Sequence, residues 1–396
     1  MLGNFIYYNP TKLYFGTEVD KNLKDALENY GKKVLLVYGG GSIKSNGIYD
    51  TVIKALKETG KEVVELSGVM PNPTLEKLNE GILLARNEDV DLILAVGGGS
   101  TIDYSKGVAA GAFFDGDAWT NFWLQQKEPA PDQKIIPVGS VLTLAGTGSE
   151  MNGGSVITDE KNKLKVGKVF GERLIPKFSV LNPEYTFSLP QNQMVAGIYD
   201  IMSHIMEQYF SGDDDSTSDY ISEGLMRSLI ASSRVAVKDP KNYEARSNIM
   251  WIATWALNTL IGKGKKQDWM VHMIAHTIGA FTHATHGMAL SAISAAYYRF
   301  ILKYGEHRFA RFARVVWEIP SEGKTDSQLA SEGIDALENW IKEIGAASDI
   351  EVLGVTDNML EEIAATTFLG GGYKEITKED IVAILKDSLK RNKNNL

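Results

Sequence analysis

Residues Leu92–Lys106 read LILAVGGGSTIDYSK, and this stretch decides the fold class of the chain. An apolar run of five residues leads directly into three glycines and then into an amphipathic segment. A continuous apolar strand that passes through a glycine turn into a helix is typical of a parallel sheet covered by helices on both faces. Such a turn lets the backbone approach a diphosphate, and the helix that follows offers unpaired N–H groups. The stretch therefore predicts an α/β domain with a candidate nucleotide-binding turn.

A second turn of the same kind follows the apolar run Lys33–Tyr38, where the sequence continues GGGSIK over Gly39–Lys44. Neither turn has the spacing G-x-G-x-x-G or G-x-x-x-x-G-K-[ST], so each by itself is equally well a tight strand-to-helix turn. Two such turns in one sheet favour a dinucleotide site. The turn at Gly39–Lys44 lacks the Asp or Glu that would bind a ribose 2′-hydroxyl. Ser42 and Lys44 instead suit a 2′-phosphate, unless Lys44 is simply an exposed lysine at a helix start.

The alternation of strands, helices and glycine turns continues to about residue 188. Thr143–Glu150, which reads TLAGTGSE, adds a loop of hydroxyl groups and glycines that is weak evidence by itself but could line a cofactor. Phe5–Phe15 reads as two short strands around Asn9-Pro10 and predicts a hairpin. Beyond Leu189-Pro190, segments with helical periodicity replace the strands. We therefore expect an α/β domain over residues 1–188 and a helical domain over residues 189–396.

The composition restricts the function. The chain has 396 residues, enough for two or three domains. Its 41 Lys and Arg against 50 Asp and Glu give a net charge of −9, which disfavours nucleic acid and anionic membranes as partners. Cysteine is absent, so disulfides and thiolate metal ligands are excluded. The amino terminus lacks the features of a signal peptide, and no window approaches a membrane span, so we expect a cytoplasmic protein.

Five of the six histidines lie in two short segments, and these segments predict a metal site. Asp200 and His204 are four residues apart on one predicted helix, so both lie on one face. His272 and His276 repeat that spacing, and His286 follows. A carboxylate and several imidazoles suit a borderline divalent metal. Spacing alone favours His272 and His276 as the second pair of ligands.

Taken together, these motifs resemble the iron-containing, or group III, alcohol dehydrogenase family. Gly97–Lys106 fits the family's GGGSxxDxxK turn, Thr143–Glu150 its hydroxyl and glycine loop, and Asp200-x-x-x-His204 its first pair of ligands. The family's second pair of ligands is similar to His272 and His286 of this chain. These two histidines lie fourteen residues apart, and a glycine follows the second. The segments Tyr38–Lys44 and Gln267–Trp269 are similar to the branch of butanol dehydrogenases and NADPH-dependent aldehyde reductases.

The resemblance implies a dehydroquinate synthase-like architecture, in which an amino-terminal parallel-sheet dinucleotide-binding domain precedes an all-helical metal-binding domain. It implies reversible hydride transfer between NADP(H) and a primary alcohol or aldehyde such as butanol or butanal, one Fe(II) or Zn(II) per site, and a homodimer. His276 then lies beside the metal without binding it and is a candidate catalytic proton relay. The implied metal ligands are Asp200, His204, His272 and His286. The candidate cofactor-binding residues are Gly39, Gly40, Gly41, Ser42, Lys44, Gly97, Gly98, Gly99, Ser100, Asp103, Thr143, Thr147 and Lys165.

Two other functions are compatible with the same motifs. A lyase of the dehydroquinate synthase type would use the same fold and cofactor without net redox change, but it would need several Lys and Arg residues around a phosphorylated substrate. A protein that binds metal and nucleotide without catalysis would hold NADPH and reduce no aldehyde. The apolar neighbours of the predicted ligands, Met202, Ile205 and Ile274 among them, favour the dehydrogenase.

Overall fold

The computed structural model describes residues 2–212 and 216–390. Within these ranges the chain forms two compact units. The first runs from Tyr8 to Leu189, and the second comprises the residues from Pro190 onward together with those before Tyr8. The amino-terminal residues thus differ from the predicted division, because they pack with the helical unit. Gly3 N–H, for example, donates a hydrogen bond of 2.9 Å to Gly264 O.

The first unit is built on a six-stranded sheet whose strands are all parallel, with helices on both faces. Two further strands form a separate antiparallel ribbon. The strands are β1 (Lys12–Phe15), β2 (Lys33–Tyr38), β3 (Glu62–Leu66), β4 (Leu92–Gly97), β5 (Val138–Leu142), the ribbon strands β6 (Gly154–Asp159) and β7 (Leu164–Val169), and β8 (Phe178–Leu181). The helices are α1 (Val19–Leu27), α2 (Ser42–Ser45), α3 (Ile48–Glu58), α4 (Leu75–Asn87) and α5 (Gly99–Gly111).

The central strands are apolar because both of their faces are buried. In β2, Leu35 and Val37 belong to the core on one side of the sheet, whereas Val34 and Leu36 belong to the core on the other. Alternate side chains of a strand point to opposite faces, so a strand buried on both sides needs an unbroken apolar run. The predicted α/β class with a parallel sheet is therefore confirmed.

The strand order β1-β8-β5-β4-β2-β3 contains one reversal. The chain passes from β2 to β3 on one side and then returns to place β4 on the other side of β2. Open α/β sheets bind their ligands beyond the carboxyl ends of the strands, where the strand order reverses. This point lies between β2 and β4, the two strands that end in triple glycines.

The predicted hairpin over Phe5–Phe15 is wrong. Only Lys12–Phe15 is a strand in this segment, and it pairs in parallel with Phe178–Leu181 at the edge of the sheet. Pro10 has no N–H to donate to a ladder. The Asn9 side chain accepts a hydrogen bond of 3.1 Å from Thr11 N–H and donates one of 2.8 Å to Met151 O, so it connects this segment to the loop after β5.

The second unit is helical, as predicted. Its helices are α6 (Gln191–Tyr209), α7 (Thr217–Ala236), α8 (Tyr243–Ala256), α9 (Met270–Thr282), α10 (His286–Ile301), α11 (Glu306–Val315), α12 (Asp326–Glu343), α13 (Leu360–Thr366) and α14 (Lys378–Lys390). In the part of the chain that the structure describes, no helix combines the length and apolar character needed to cross a membrane.

Candidate metal centre and nucleotide-binding turns

Helix α6 carries the first two predicted ligands on one buried face. Asp200 and His204 are each 4% exposed, and the His204 Nε2 atom lies 3.5 Å from Asp200 Oδ1. The i, i+4 spacing places them one turn apart. Apolar side chains such as Ile201 and Ile205 surround them, so this polar pair lies inside the helical core.

Helices α9 and α10 bring the other two predicted ligands to the same carboxylate. The Nε2 atoms of His272, on α9, and of His286, the first residue of α10, each lie 3.7 Å from Asp200 Oδ1. The chain reverses between the two helices through His283, whose φ of 57° lies in the left-handed region. Asp200, His204 and His272 present one ligand atom each within 4.8 Å of one another.

Gly287 explains how His286 comes this close to α6. A Cβ atom on Gly287 would lie 1.9 Å from Ala196 O, which is backbone of α6. Only a residue without a side chain lets α10 begin against α6 at this distance. The glycine that follows His286 therefore sets the position of the predicted fourth ligand.

The spacing of these atoms fits a divalent first-row metal. Metal–nitrogen and metal–oxygen bonds of about 2.0–2.2 Å in a tetrahedron place neighbouring ligand atoms roughly 3.3–3.6 Å apart. The observed separations of 3.5 and 3.7 Å from Asp200 Oδ1 lie within or just above this range and exceed ordinary hydrogen-bond lengths. One carboxylate and three imidazoles suit iron or zinc and do not choose between them.

Glu207, which the sequence analysis did not identify, holds His272 from the side away from Asp200. Its carboxylate is 1% exposed, contacts His272 Nδ1, and accepts a hydrogen bond of 3.1 Å from the backbone N–H of His272. The Ser203 hydroxyl donates a further hydrogen bond of 2.8 Å to Glu207 Oε1. A carboxylate bound to one imidazole nitrogen fixes the ring so that the other nitrogen points at the metal.

These carboxylates also change the proton affinity of His272. Burial by itself lowers the pKa of the imidazole, but the charge of Glu207 and the contact with Asp200 outweigh burial and raise the pKa to about 9. An imidazole must be neutral at the ligating nitrogen to bind a metal. A metal ion at this position therefore replaces a proton that the carboxylates would otherwise hold there.

His276 and Trp269 border the ligand group. His276 is 7% exposed, and its ring centroid lies 5.0 Å from that of His286 and 6.0 Å from that of His272. The Trp269 ring lies edge-on to His272 at 5.3 Å, and its indole N–H donates a hydrogen bond of 3.0 Å to Gln267 Oε1. Spacing alone favours His272 and His276 as the second pair of ligands, whereas the Nε2 atoms found 3.7 Å from Asp200 Oδ1 are those of His272 and His286.

In the first unit, three loops predicted to bind the cofactor lie side by side. They follow the adjacent strands β2, β4 and β5, and Thr143 N–H donates a hydrogen bond of 3.0 Å to Gly97 O. A Cβ atom on Gly99 would lie 2.2 Å from Thr147 Oγ1, so that glycine admits the neighbouring loop. Cβ atoms on Gly40 and Gly41 would meet no atom within 4 Å, so the β2 turn borders open space that a phosphate could fill.

The β4 turn has the features of a phosphate cradle. Gly98 caps α5 and Gly99 is its first residue, so the free N–H groups of the helix start lie at the end of the buried strand β4. Ser100 is in the same first turn and is partly exposed. The glycine backbone and the helix N-terminus together fit a diphosphate group.

Asp103 has a different environment from the other predicted cofactor residues. Its carboxylate is buried, accepts a hydrogen bond of 3.1 Å from Val156 N–H, and is bound by the Ser149 hydroxyl. Lys106 Nζ lies 3.6 Å from it and donates a hydrogen bond of 3.0 Å to Asn152 O. Burial raises the pKa of Asp103 and lowers that of Lys106 to about 8. In the structure, this pair ties α5 to the loop after β5.

Lys165 and Lys44 lie on two other elements of the first unit. Lys165, on β7, is 8% exposed, and its ammonium donates a hydrogen bond of 2.8 Å to Asn72 Oδ1. Ser42 and Lys44, on the short helix α2, are exposed beside the β2 turn.

The chain matches family models over nearly its whole length. Residues 10–183 match the model of iron-containing alcohol dehydrogenases, and residues 194–389 match the model of the family's C-terminal region. A curated relative, the probable NADH-dependent butanol dehydrogenase 1 of Bacillus subtilis, is 41% identical over 98% of this chain and 100% of its own. The NADPH-dependent aldehyde reductase YqhD of Escherichia coli is 36% identical over 89% of this chain and 90% of its own.

A solved structure agrees with these matches. The crystal structure of NADH-dependent butanol dehydrogenase A from Thermotoga maritima is 37% identical, covers 97% of this chain and 98% of its own, and superimposes with a TM-score of 0.92.

Proposed function

We propose that this chain, which belongs to the iron-containing alcohol dehydrogenase family, is an alcohol dehydrogenase and aldehyde reductase that transfers hydride reversibly between a nicotinamide dinucleotide and a primary alcohol or aldehyde. The observation that carries the proposal is the convergence of three imidazole nitrogens on one carboxylate oxygen, Asp200 Oδ1, within a helical core. Butanol dehydrogenases and an aldehyde reductase among the relatives support the same activity.

In this proposal, Asp200, His204, His272 and His286 hold one divalent metal. Bound there, the metal supplies a Lewis acid that polarises a carbonyl oxygen or stabilises an alkoxide. Glu207 orients His272 and keeps its ligating nitrogen directed at the site. His276, buried beside His286, holds and releases the proton that the substrate oxygen gains or loses.

The residues around the candidate ligands favour an apolar substrate. Helices α6 and α9 contain no Lys or Arg, and Met202, Ile205 and Ile274 beside the ligands are fully buried. A lyase acting on a phosphorylated substrate would need cations at these positions to bind the phosphate. Short aliphatic alcohols and aldehydes, with butanol and butanal as examples, are therefore the proposed substrates.

The glycine turns hold the dinucleotide in this proposal. The N–H groups at the start of α5 bind the diphosphate, and Thr143 and Thr147 line the same edge of the sheet. The nicotinamide supplies the hydride acceptor and donor, and the protein's part is to position it. The dinucleotide lies at the reversal of strand order between β2 and β4.

NADP(H) is the proposed preferred cofactor, and the support for it is the β2 turn. Gly39, Gly40 and Gly41 carry no acidic group that would repel a 2′-phosphate, and Gly40 and Gly41 border open space. Ser42 can donate a hydrogen bond and Lys44 a charge-assisted contact, worth roughly 1.5–3 kcal/mol. Relatives of this chain carry names of both NADH-dependent and NADPH-dependent enzymes.

The function is tested with metal-free protein reloaded with Fe(II) or Zn(II) and assayed with a panel of linear aldehydes and both reduced cofactors. We expect oxidation of the nicotinamide with butanal, dependent on the metal and faster with NADPH than with NADH. Gly39→Asp should reverse the cofactor preference, chiefly by weakening NADPH binding. Metal-loaded protein that binds NADPH and reduces no aldehyde would contradict the enzymatic proposal, and a wild-type preference for NADH would contradict the cofactor proposal alone.

A further inference from the structure

A carboxylate and two phenols meet at the carboxyl ends of β2 and β3. Tyr38 is the last residue of β2, and its hydroxyl donates a hydrogen bond of 2.6 Å to Glu65 Oε2. Tyr49, on α3, donates one of 2.7 Å to Glu65 Oε1. Both carboxylate oxygens of Glu65 are thus held in place, although the residue is exposed on the edge strand β3.

The Lys44 ammonium lies against the same group. Its Nζ atom is 5.1 Å from the ring centroid of Tyr38, 4.5 Å from that of Tyr49, and 4.0 Å from Glu65 Oε2. Two aromatic faces and a carboxylate attract a cation at these distances. The side chain of Lys44 keeps 50% of its surface exposed, so an anionic ligand still has access to it.

The segment after β3 connects this group to the glycine turn. Gly68 N–H donates a hydrogen bond of 2.8 Å to Gly39 O, and Val69 N–H donates one of 3.2 Å to Tyr38 O. The end of β3, with Glu65 on it, is therefore fixed relative to the turn that follows β2. In that turn, Gly39, Gly40 and Gly41 carry no charge of their own.

We infer that Glu65 is a specificity-determining residue for the dinucleotide and weakens the binding of a 2′-phosphate at Lys44. The inference rests on the proposed nucleotide site at the β2 turn. A 2′-phosphate adds a charge near −2 beside Lys44, where it meets both the ammonium and the Glu65 carboxylate. A 2′-hydroxyl carries no charge and meets no such repulsion. Glu65, on the neighbouring strand, thus reduces the proposed preference for NADP(H) without reversing it, because the Lys44 ammonium still attracts the 2′-phosphate.

Glu65 carries this charge under ordinary conditions. The hydrogen bonds from Tyr38 and Tyr49 stabilise its ionised form and lower its pKa. Because both oxygens are already bonded to phenols, the carboxylate cannot easily turn away when a phosphate approaches. The Glu65 carboxylate therefore repels a 2′-phosphate electrostatically from a fixed position.

The test compares two fragments that differ only in the 2′-phosphate, adenosine 5′-monophosphate and adenosine 2′,5′-bisphosphate, by isothermal titration calorimetry. The ratio of their dissociation constants measures selectivity for the 2′-phosphate, independently of turnover and metal. Glu65→Gln keeps the shape and removes the charge, and we expect this ratio to shift about tenfold in favour of the bisphosphate at low salt. Lys44→Gln should shift it about as far in the other direction.

Two control variants distinguish an effect of the Glu65 charge from a change in local structure or in net charge. Tyr49→Phe removes one hydrogen bond to Glu65 but keeps its charge and the aromatic face, so the ratio should stay within about twofold of wild type. Glu62→Gln removes an exposed carboxylate at the opposite end of β3 and should also leave the ratio unchanged. A thermal melt confirms that each variant is folded.

The outcomes distinguish this inference from the proposed function. Wild-type protein that binds neither fragment would contradict the nucleotide site itself and the inference with it. Binding of both fragments, with a Glu65→Gln ratio equal to that of wild type or shifted against the bisphosphate, would overturn the inference alone. An equal shift in Glu62→Gln would also overturn it, because the effect would then be one of net charge.

Discussion

The Glu207 carboxylate contacts His272 Nδ1, and the Nε2 atom on the opposite edge of the same ring lies 3.7 Å from Asp200 Oδ1. The His272 imidazole therefore lies between two buried carboxylates. Asp200 is a candidate metal ligand, and Glu207 orients the ring. Glu207 also accepts hydrogen bonds from the His272 backbone and from Ser203, so its own position is fixed. The candidate metal centre consequently depends on a residue that does not itself reach the metal position.

Glu207→Gln should weaken metal binding about 10- to 100-fold, because the amide no longer fixes the tautomer and orientation of His272. The measurement is a competition between the metal-free protein and a chelator of known affinity for Zn(II). Glu361→Gln, at an exposed position in the first turn of α13, is the matched control and should bind metal as wild type does. Equal affinities of Glu207→Gln and wild type would show that Glu207 does not orient a ligand.

Gly287→Ala should disrupt the centre without touching a ligand. The added Cβ would lie 1.9 Å from Ala196 O, so α10 must move away from α6 and carry His286 with it. We expect a loss of roughly 1–3 kcal/mol of stability and weaker metal binding. Gly224→Ala, at an exposed position of helix α7 where a Cβ meets no atom within 4 Å, should instead stabilise the fold by about 0.5–1 kcal/mol. Denaturant titrations of both variants decide this, and similar effects from the two substitutions would contradict it.

Asp268 should make the stability of the metal-free protein depend on pH. Burial raises the pKa of its carboxyl group to about 6, against about 3.9 in an unfolded chain. Between these values the folded state binds more protons than the unfolded state, so the contribution of Asp268 to the unfolding free energy falls as pH rises. Asp268→Asn removes this dependence, and its stability relative to wild type should increase by roughly 2–3 kcal/mol from pH 4 to pH 7.

Urea titrations at several pH values measure this difference, with the exposed substitution Asp132→Asn as the control. A difference in unfolding free energy between Asp268→Asn and wild type that is constant over this pH range would contradict the assigned cause. An equal pH-dependent difference for Asp132→Asn would contradict it as well.

The sheet could be predicted because burial on both faces leaves a strong signal. The run Lys33–Tyr38 was predicted as a strand with the observed bounds, since every residue after the first is buried. The ribbon of Gly154–Asp159 and Leu164–Val169 was missed, because the first strand mixes Ser, Thr and Asp with apolar residues, the second contains two lysines, and no Asn-Gly turn connects them. The edge strand Lys12–Phe15 takes its pairing from a segment more than 160 residues away, which local sequence does not reveal.

The site was predictable to the extent that it lies within single helices. Asp200 and His204 follow helical spacing, and Glu207, three residues further on the same face, could have been found by extending that pattern. The choice of His286 over His276 could not come from spacing, because it depends on the turn at His283 and on the contact between Gly287 and α6. The family resemblance supplied it, and the structure brings His286 to Asp200.

Two features, one in each compact unit, support the homodimer that the family resemblance implies. Phe5 and Ile6 are 50% and 87% exposed, and strand β1 is an edge of its sheet with one side unpaired in the described chain. Exposed apolar residues and free strand edges are typical of association surfaces. We expect a dimeric mass by light scattering at micromolar concentration, and a monomeric mass for Ile6→Lys. Val352→Lys, at another exposed apolar position, should remain dimeric. A monomeric wild type would rule the dimer out.

The assignment of His286 as a metal ligand is tested by the metal content of His286→Ala and His276→Ala. The content is measured by elemental analysis after saturation with Zn(II) and removal of unbound metal. The two histidines have neighbouring rings, and the Nε2 atom of His286 lies 3.7 Å from Asp200 Oδ1, beside the group of Asp200, His204 and His272. We expect one metal ion per chain in wild type and in His276→Ala, and little or none in His286→Ala. Metal retained in His286→Ala and lost in His276→Ala would contradict the assigned centre.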